Sequence, residues 1–119
     1  MSVETSKDET AAEAVNEVHL AGRVSGDPEE RVLPSGDVVW TFRLVVPRDH
    51  PVGRQRVDTL DCAVWGGRAR RTVARWSDGD VAQVTGAVRR RFFSAGGGRA
   101  SRVEVEVSGA RLIRRAASA

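Results

Sequence analysis

Aromatic rings set among arginines are the residues of this chain whose types and spacing could do chemistry. Of the 19 basic residues 18 are arginine, whose planar guanidinium can both pair with a phosphate and stack on a flat ring, which lysine cannot do. In an extended chain successive side chains point to opposite faces, so each ring falls either with the apolar set or against it. Trp65 falls against it, on the face of Thr59, Asp61 and Ala63, opposite Leu60, Cys62 and Val64. A tryptophan on a solvated face gives up hydrophobic burial unless something covers it, and a stacked base would supply about 1–3 kcal/mol. A subunit interface or simple partial exposure is the alternative. Phe93 lies in line with Arg89 and Arg91, and Phe92 sits between them and a glycine-rich loop. Rings beside cations suit bases and phosphates respectively, whereas an arginine run alone is more often a solvated strand edge that blocks aggregation. Arg43, on the outward face of its strand, and Arg54 and Arg56, in a loop, are further candidate phosphate contacts. Trp40 shares its face with Phe42, Leu44 and Val46, so it reads first as core and second as a ligand contact. Trp76 reads as core.

The elements that must position these residues are mostly strands. Val18, Leu20, Gly22 and Val24 alternate with His19, Ala21 and Arg23 in a first half-buried strand. Gly26, Asp27 and Pro28, then Pro34, Ser35 and Gly36, punctuate the chain around a short extended piece, Glu30 to Leu33. Val38 to Val46 is the second strand, residues 47–56 an exposed hairpin connection, and Thr59 to Trp65 the third strand. Between Arg68 and Ser77 the period changes: Ala69, Thr72, Val73 and Trp76 recur at helical spacing, predicting one short amphipathic helix stopped by Asp78 and Gly79. Asp80 to Phe93 and Arg102 to Val107 alternate again around a flexible tip at residues 95–98. Three strands, a helix and a two-strand hairpin predict an all-β domain with one short helix. This is the Greek-key order of the five-stranded OB barrel, with the helix between strands three and four, a fold that binds oligonucleotides or oligosaccharides.

Composition agrees with one domain. In 119 residues the first 17 carry five acids against Lys7, and the remainder 18 arginines against 11 acids. A basic body suits an anionic partner, although genomic GC bias also favours arginine. Residues 1–15 lack a hydrophobic period and predict a disordered acidic arm; 16–113 form the barrel and 114–119 a short flexible end. No apolar run is long enough to span a membrane, and the N-terminus does not resemble a signal peptide, so the chain is expected to be cytoplasmic. Cys62 is the only cysteine, and His19 and His50 the only histidines. No metal site, cofactor motif or catalytic constellation is expected from them, and no enzyme activity.

The chain resembles the bacterial single-stranded DNA-binding protein family. The resemblance rests on Asn16, Val18, Leu20, Gly22 and Arg23, then Asp27, Pro28, Glu29, Arg31, Pro34, Ser35 and Gly36. It continues through Phe42, Leu44, the Val64–Trp65–Gly66 segment, Gly79, Gly86, Arg89 and Arg91. It implies a nucleoid-associated homo-oligomer, a tetramer in preference to a dimer, that binds single-stranded DNA without sequence preference during replication, recombination or repair. By position, Trp65 and Phe93 match the family's stacking rings, while Thr59 stands where the family often has a tryptophan. The family's acidic C-terminal tip, which recruits partner enzymes, has no counterpart before Ala119, so recruitment by that route is not expected. Two other readings stay open: an OB protein-interaction module of a replication or primosome complex, and an RNA-binding OB domain, which the first-strand motif disfavours.

Overall fold

The computed structural model describes residues 13–117. The acidic arm expected over residues 1–15 lies outside the described residues up to position 12, as do the last two residues of the chain. The elements are β1 (Val18–Val32), β2 (Val38–Pro47), β3 (Val57–Val64), α1 (Gly67–Val73), β4 (Val81–Ala95) and β5 (Gly98–Arg114). The strands close into a barrel in the order β1-β2-β3-β5-β4, with β4 returning to pair with β1. Among the described strands only β3 and β5 run parallel, through Cys62–Val105 and Ala63–Glu106. This is the expected OB barrel, with its helix between β3 and β4.

Strand ends shift by a few residues throughout, the expected tip at residues 95–98 shrinking to a turn at Gly96 and Gly97, and three differences from the sequence expectation have a clear local reason. The Gly26–Pro28 punctuation does not end β1 but bends it: the register with β2 shifts between Ser25 and Glu29, and Gly26 takes φ of 79°, a conformation open to glycine at little cost. The bulge lets one strand serve two neighbours, pairing with β4 through Arg23 and with β2 from Arg23 onward. The helix stops at Val73 rather than Ser77, because the Arg75 and Trp76 N–H groups bond carbonyls three residues back, the tighter winding usual at helix ends. The last strand runs well past Val107, since β4 offers it a partner as far as Arg114.

The core gathers Val24, Phe42, Leu44, Val64, Val73, Ala82, Val84, Val105 and Val107, all buried. Trp76, reached by the tight turn after α1, packs edge-on against Phe42 with ring centroids 5.4 Å apart, a geometry aromatic quadrupoles favour. Its indole N–H has no hydrogen-bond partner among the described residues. Asp80, 1% exposed, fastens the chain ends of this region together. Its carboxylate accepts from the Ser77 and Ala116 N–H groups and from the Arg115 guanidinium, each at 2.9 Å. Burial would push that carboxyl up, but the two backbone donors and Arg115 outweigh it and hold it below its ordinary value.

Beyond the barrel β4 and β5 continue as a two-stranded arm. Among the described residues, 88–95 of β4 and 98–104 of β5 pair with no strand but each other. The arm turns at Gly96 and Gly97, both at positive φ, as a two-residue type I′ hairpin requires. At its base Asn16 donates to the Val88 carbonyl and accepts from the Val88 N–H, both at 2.8 Å.

Candidate nucleic-acid interface

The outward faces of four adjacent strands form one open surface. Register places Thr41 and Arg43 of β2 beside Ala63 and Asp61 of β3. Ala63 pairs in turn with Glu106 of β5, and Arg91 and Phe93 of β4 pair with Arg102 and Ala100. Trp65 follows directly on β3 and is half-buried. A groove of about 460 Å³ crosses this surface, walled by Thr41, Arg43, Asp61, Trp65, Arg91 and Arg102.

Within the groove rings and guanidinium groups are already in contact. The Arg91 guanidinium carbon lies 4.5 Å from the Trp65 ring centroid, inside the range for cation–π attraction. Arg91 is itself held by Glu104, Nε to Oε1 at 2.5 Å, and that carboxylate is only 8% exposed. A buried acid thus aims the arginine that covers the tryptophan. Further along the arm Arg102 stands over Phe93 at 5.5 Å. Arg43 pairs with Asp61 at 3.4 Å, and Arg89 with Glu106 at 3.7 Å. Around the groove Arg31, Arg43, Arg91 and Arg102 face Asp27, Glu29, Asp61 and Glu104. The surface is therefore rich in charge but close to neutral. Cys62, behind it, is buried and its thiol is pushed up to about 12, first by burial and then by Asp61 and Glu104, which leaves it without reactive thiolate.

The structure brings Trp65, Phe93, Arg89, Arg91 and Arg43 to this one face. It does not bring the remaining candidates there. Trp40 lies on the opposite side of β2 and packs against the core. Phe92, 65% exposed, is on the reverse of the arm, where it lines a separate hollow with Arg99, Ala100 and Ser101. Arg54 and Arg56 stand exposed in the β2–β3 loop, whose base is clamped by the Arg48–Asp58 ion pair at 2.8 Å. Arg102 and Glu104 belong to the face and were not singled out by the sequence reading. The hairpin register could have found them, because counting outward from Gly96 and Gly97 sets Arg91 against Arg102.

Residues 15–113 match the Single-strand binding protein family. The chain belongs to the single-strand binding protein family. Within it, the chain is 36% identical over 87 residues to "Single-stranded DNA-binding protein 3" of Listeria innocua, an overlap of 71% of this chain and 54% of that protein. It is 33% identical to the "Single-stranded DNA-binding protein" of Halalkalibacterium halodurans, covering 71% and 52% of the two chains. To "Single-stranded DNA-binding protein A" of Bacillus subtilis it is 33% identical, over 66% and 47%. The chain spans about half the length of the curated single-strand binding relatives it matches. No helix among the described residues is long and apolar enough to cross a membrane.

Proposed function

We propose that the chain binds single-stranded DNA without sequence preference, covering unpaired DNA during replication, recombination or repair. The observation that carries this reading is Trp65, held half-exposed in an open groove with Arg91 across its ring 4.5 Å away. Every base has a π-face, so a ring platform is tolerant of sequence. A base either takes the place of the guanidinium on Trp65 or stacks on its planar outer side, and Arg102 over Phe93 offers a second station of the same kind. Arg43 and Arg89, each already beside a carboxylate, exchange that partner for phosphate. Two stations in a line, without donors and acceptors fixed for one base edge, support positioning of a strand in preference to reading its sequence. The barrel is the binding unit of this reading, 16–113, and a homo-oligomer, with a tetramer preferred over a dimer, is its working form.

Titration with oligo(dT) tests the proposal. Tryptophan fluorescence should be quenched, Trp65→Phe should remove most of the quench, and duplex of equal length should compete poorly. Equal affinity for duplex and single strand would overturn it. If instead Trp65→Ala breaks assembly and leaves DNA affinity intact, the face is a protein-interaction surface.

A further inference from the structure

A second concave surface lies between α1 and the end of β5, away from the groove. It is a hollow of about 450 Å³ lined by Arg68, Arg71, Thr72, Arg75, Trp76, Leu112 and Arg115. Among the described residues four arginines line it and no acid does. Arg115 is committed to Asp80 and to the Arg75 carbonyl. Arg68, Arg71 and Arg75 have no ion pair among the described residues. Arg68 and Arg71 stand one turn apart on α1, where like charges repel, and Arg75 follows in the turn after it. An anion lying across the three guanidinium groups would relieve that repulsion.

We propose that this hollow is a phosphate track, which takes the backbone of the same single strand as it leaves Trp65. The inference rests on the DNA-binding reading of the groove. Three observations favour a nucleic-acid strand over an acidic peptide. First, the track begins three residues beyond Trp65, a separation of no more than about 11 Å along the chain. The intervening Gly66 and Gly67 are exposed, with open space where a side chain would project, so neither position sets a side chain between the groove and the track. Second, Arg68 and Arg71 on α1 and Arg75 in the turn after it recur every three or four residues along the hollow, a row of cations that matches the evenly repeated charge of a phosphate backbone. Third, the track presents charge and little else. Trp76 is 4% exposed and Leu112 half-buried, leaving no ring on which a base could stack and little apolar surface for peptide side chains. Bases are therefore held at Trp65 and Phe93, and backbone alone at α1.

The triple variant Arg68→Gln, Arg71→Gln, Arg75→Gln separates the two surfaces, and the three side chains are exposed, so the barrel should fold unchanged. With oligo(dT) of increasing length at several salt concentrations, strands short enough for the groove should bind variant and parent alike. Longer strands should bind the variant about tenfold more weakly at low salt. The salt dependence with long strands should flatten by about 1.4–2.1 in log–log slope, at ~0.7 for each of two or three phosphates released. Replacing the same three by lysine should restore most of the long-strand affinity. Identical length dependence and slope in variant and parent would overturn the track, as would a loss equal for short and long strands. So would a labelled poly-glutamate peptide that binds the parent and not the variant while DNA binding stays the same. Failure of the parent to bind oligo(dT) at all would overturn the reading of the groove; loss of binding in Trp65→Ala beside an unaffected triple variant would overturn the track alone.

Discussion

The groove and the α1 hollow are nearly equal in volume, about 460 and 450 Å³, and opposite in how they handle charge. In the groove each arginine of β2 and β4 that faces the strand path has a carboxylate: Arg43 has Asp61, Arg89 has Glu106 and Arg91 has Glu104. In the hollow three arginines stand together without one. Paired cations are held in defined directions and lose little order when they meet a ligand, but their pull on a distant polyanion is largely cancelled. Unpaired cations attract from a distance and position poorly. The difference teaches that the basic character of this chain and its base-stacking face are not the same surface. A net charge of +3 says nothing about where the attraction is exerted.

The two surfaces share one structural element. Phe42 borders the groove and Trp76 borders the hollow, and their rings meet edge to face behind both. The largest expected effect is therefore on this pair: Trp76→Ala should cost about 3–5 kcal/mol of stability, read by urea unfolding, and should damage both surfaces together. Trp76→Phe, which also removes the unpartnered indole N–H and leaves a smaller cavity, should cost less than Trp76→Ala. A full-sized loss for Trp76→Phe would mean that the indole has a partner in solution.

Asp80 comes next and acts on the hollow side only. Asp80→Ala leaves the Ser77 and Ala116 N–H groups and Arg115 without their acceptor, at about 2–3 kcal/mol in total. Because the folded carboxyl lies below its ordinary value, its contribution is fully present above the unfolded value near 3.9. It is lost as pH falls through the lower folded value. Unfolding free energy measured between pH 6 and 2 should thus fall less steeply in Asp80→Asn than in the parent, with a constant gap between the curves that closes only below about pH 4. A gap that already changes near neutrality would assign the effect to another group.

The strand-level fold was legible because the alternation is strict. Thr59 to Trp65 and Val38 to Val46 each divide into an apolar set and an outward set, although the structure buries Val39 and Ala63 of the outward sets at the groove; alternation put Trp65 and Phe93 outside and helical spacing put Trp76 inside, where the structure has them. Contacts between strands were not legible in the same way. Arg91 over Trp65 depends on the parallel pairing of β3 with β5, which no local pattern encodes. Glu104 shares its parity with outward Arg102 and Glu106, so alternation alone exposes it; the structure buries it against Arg91 of the neighbouring strand. The hollow escaped detection for a different reason. Its far wall, Leu112 and Arg115, belongs to or follows a stretch of β5 that only the register with β4 makes a strand. Phe92 was grouped with Phe93 by adjacency, whereas adjacent residues in a strand face opposite ways.

Trp65→Ala is the sharpest break between the two surfaces on the binding side. It should weaken oligo(dT) binding by about 1–3 kcal/mol, the value of one stacked base, for short and long strands equally and with no change in salt slope, since a ring releases no counterions. Stability should change little, because Trp65 is half-buried at the barrel surface. A changed slope would mean that removing the ring also displaces Arg91 from the strand path.

Glu104→Gln tests the paired character of the groove with the smallest expected effect. The amide keeps an oxygen that can accept from Arg91 but drops the negative charge, so the guanidinium stays aimed across Trp65 while its own charge is no longer neutralised. Affinity for short oligo(dT) should then rise a few-fold at low salt, and the salt dependence should steepen by about 0.7, one additional phosphate contact. The groove would have been moved one step toward the character of the hollow. If affinity falls instead, the carboxylate is needed to hold Arg91 in place, and the pairing in the groove serves geometry at a cost in attraction larger than one phosphate contact can return. The two outcomes differ in sign, so titrations at 50 and ~200 mM salt, the range over which phosphate contacts are resolved, are enough to separate them.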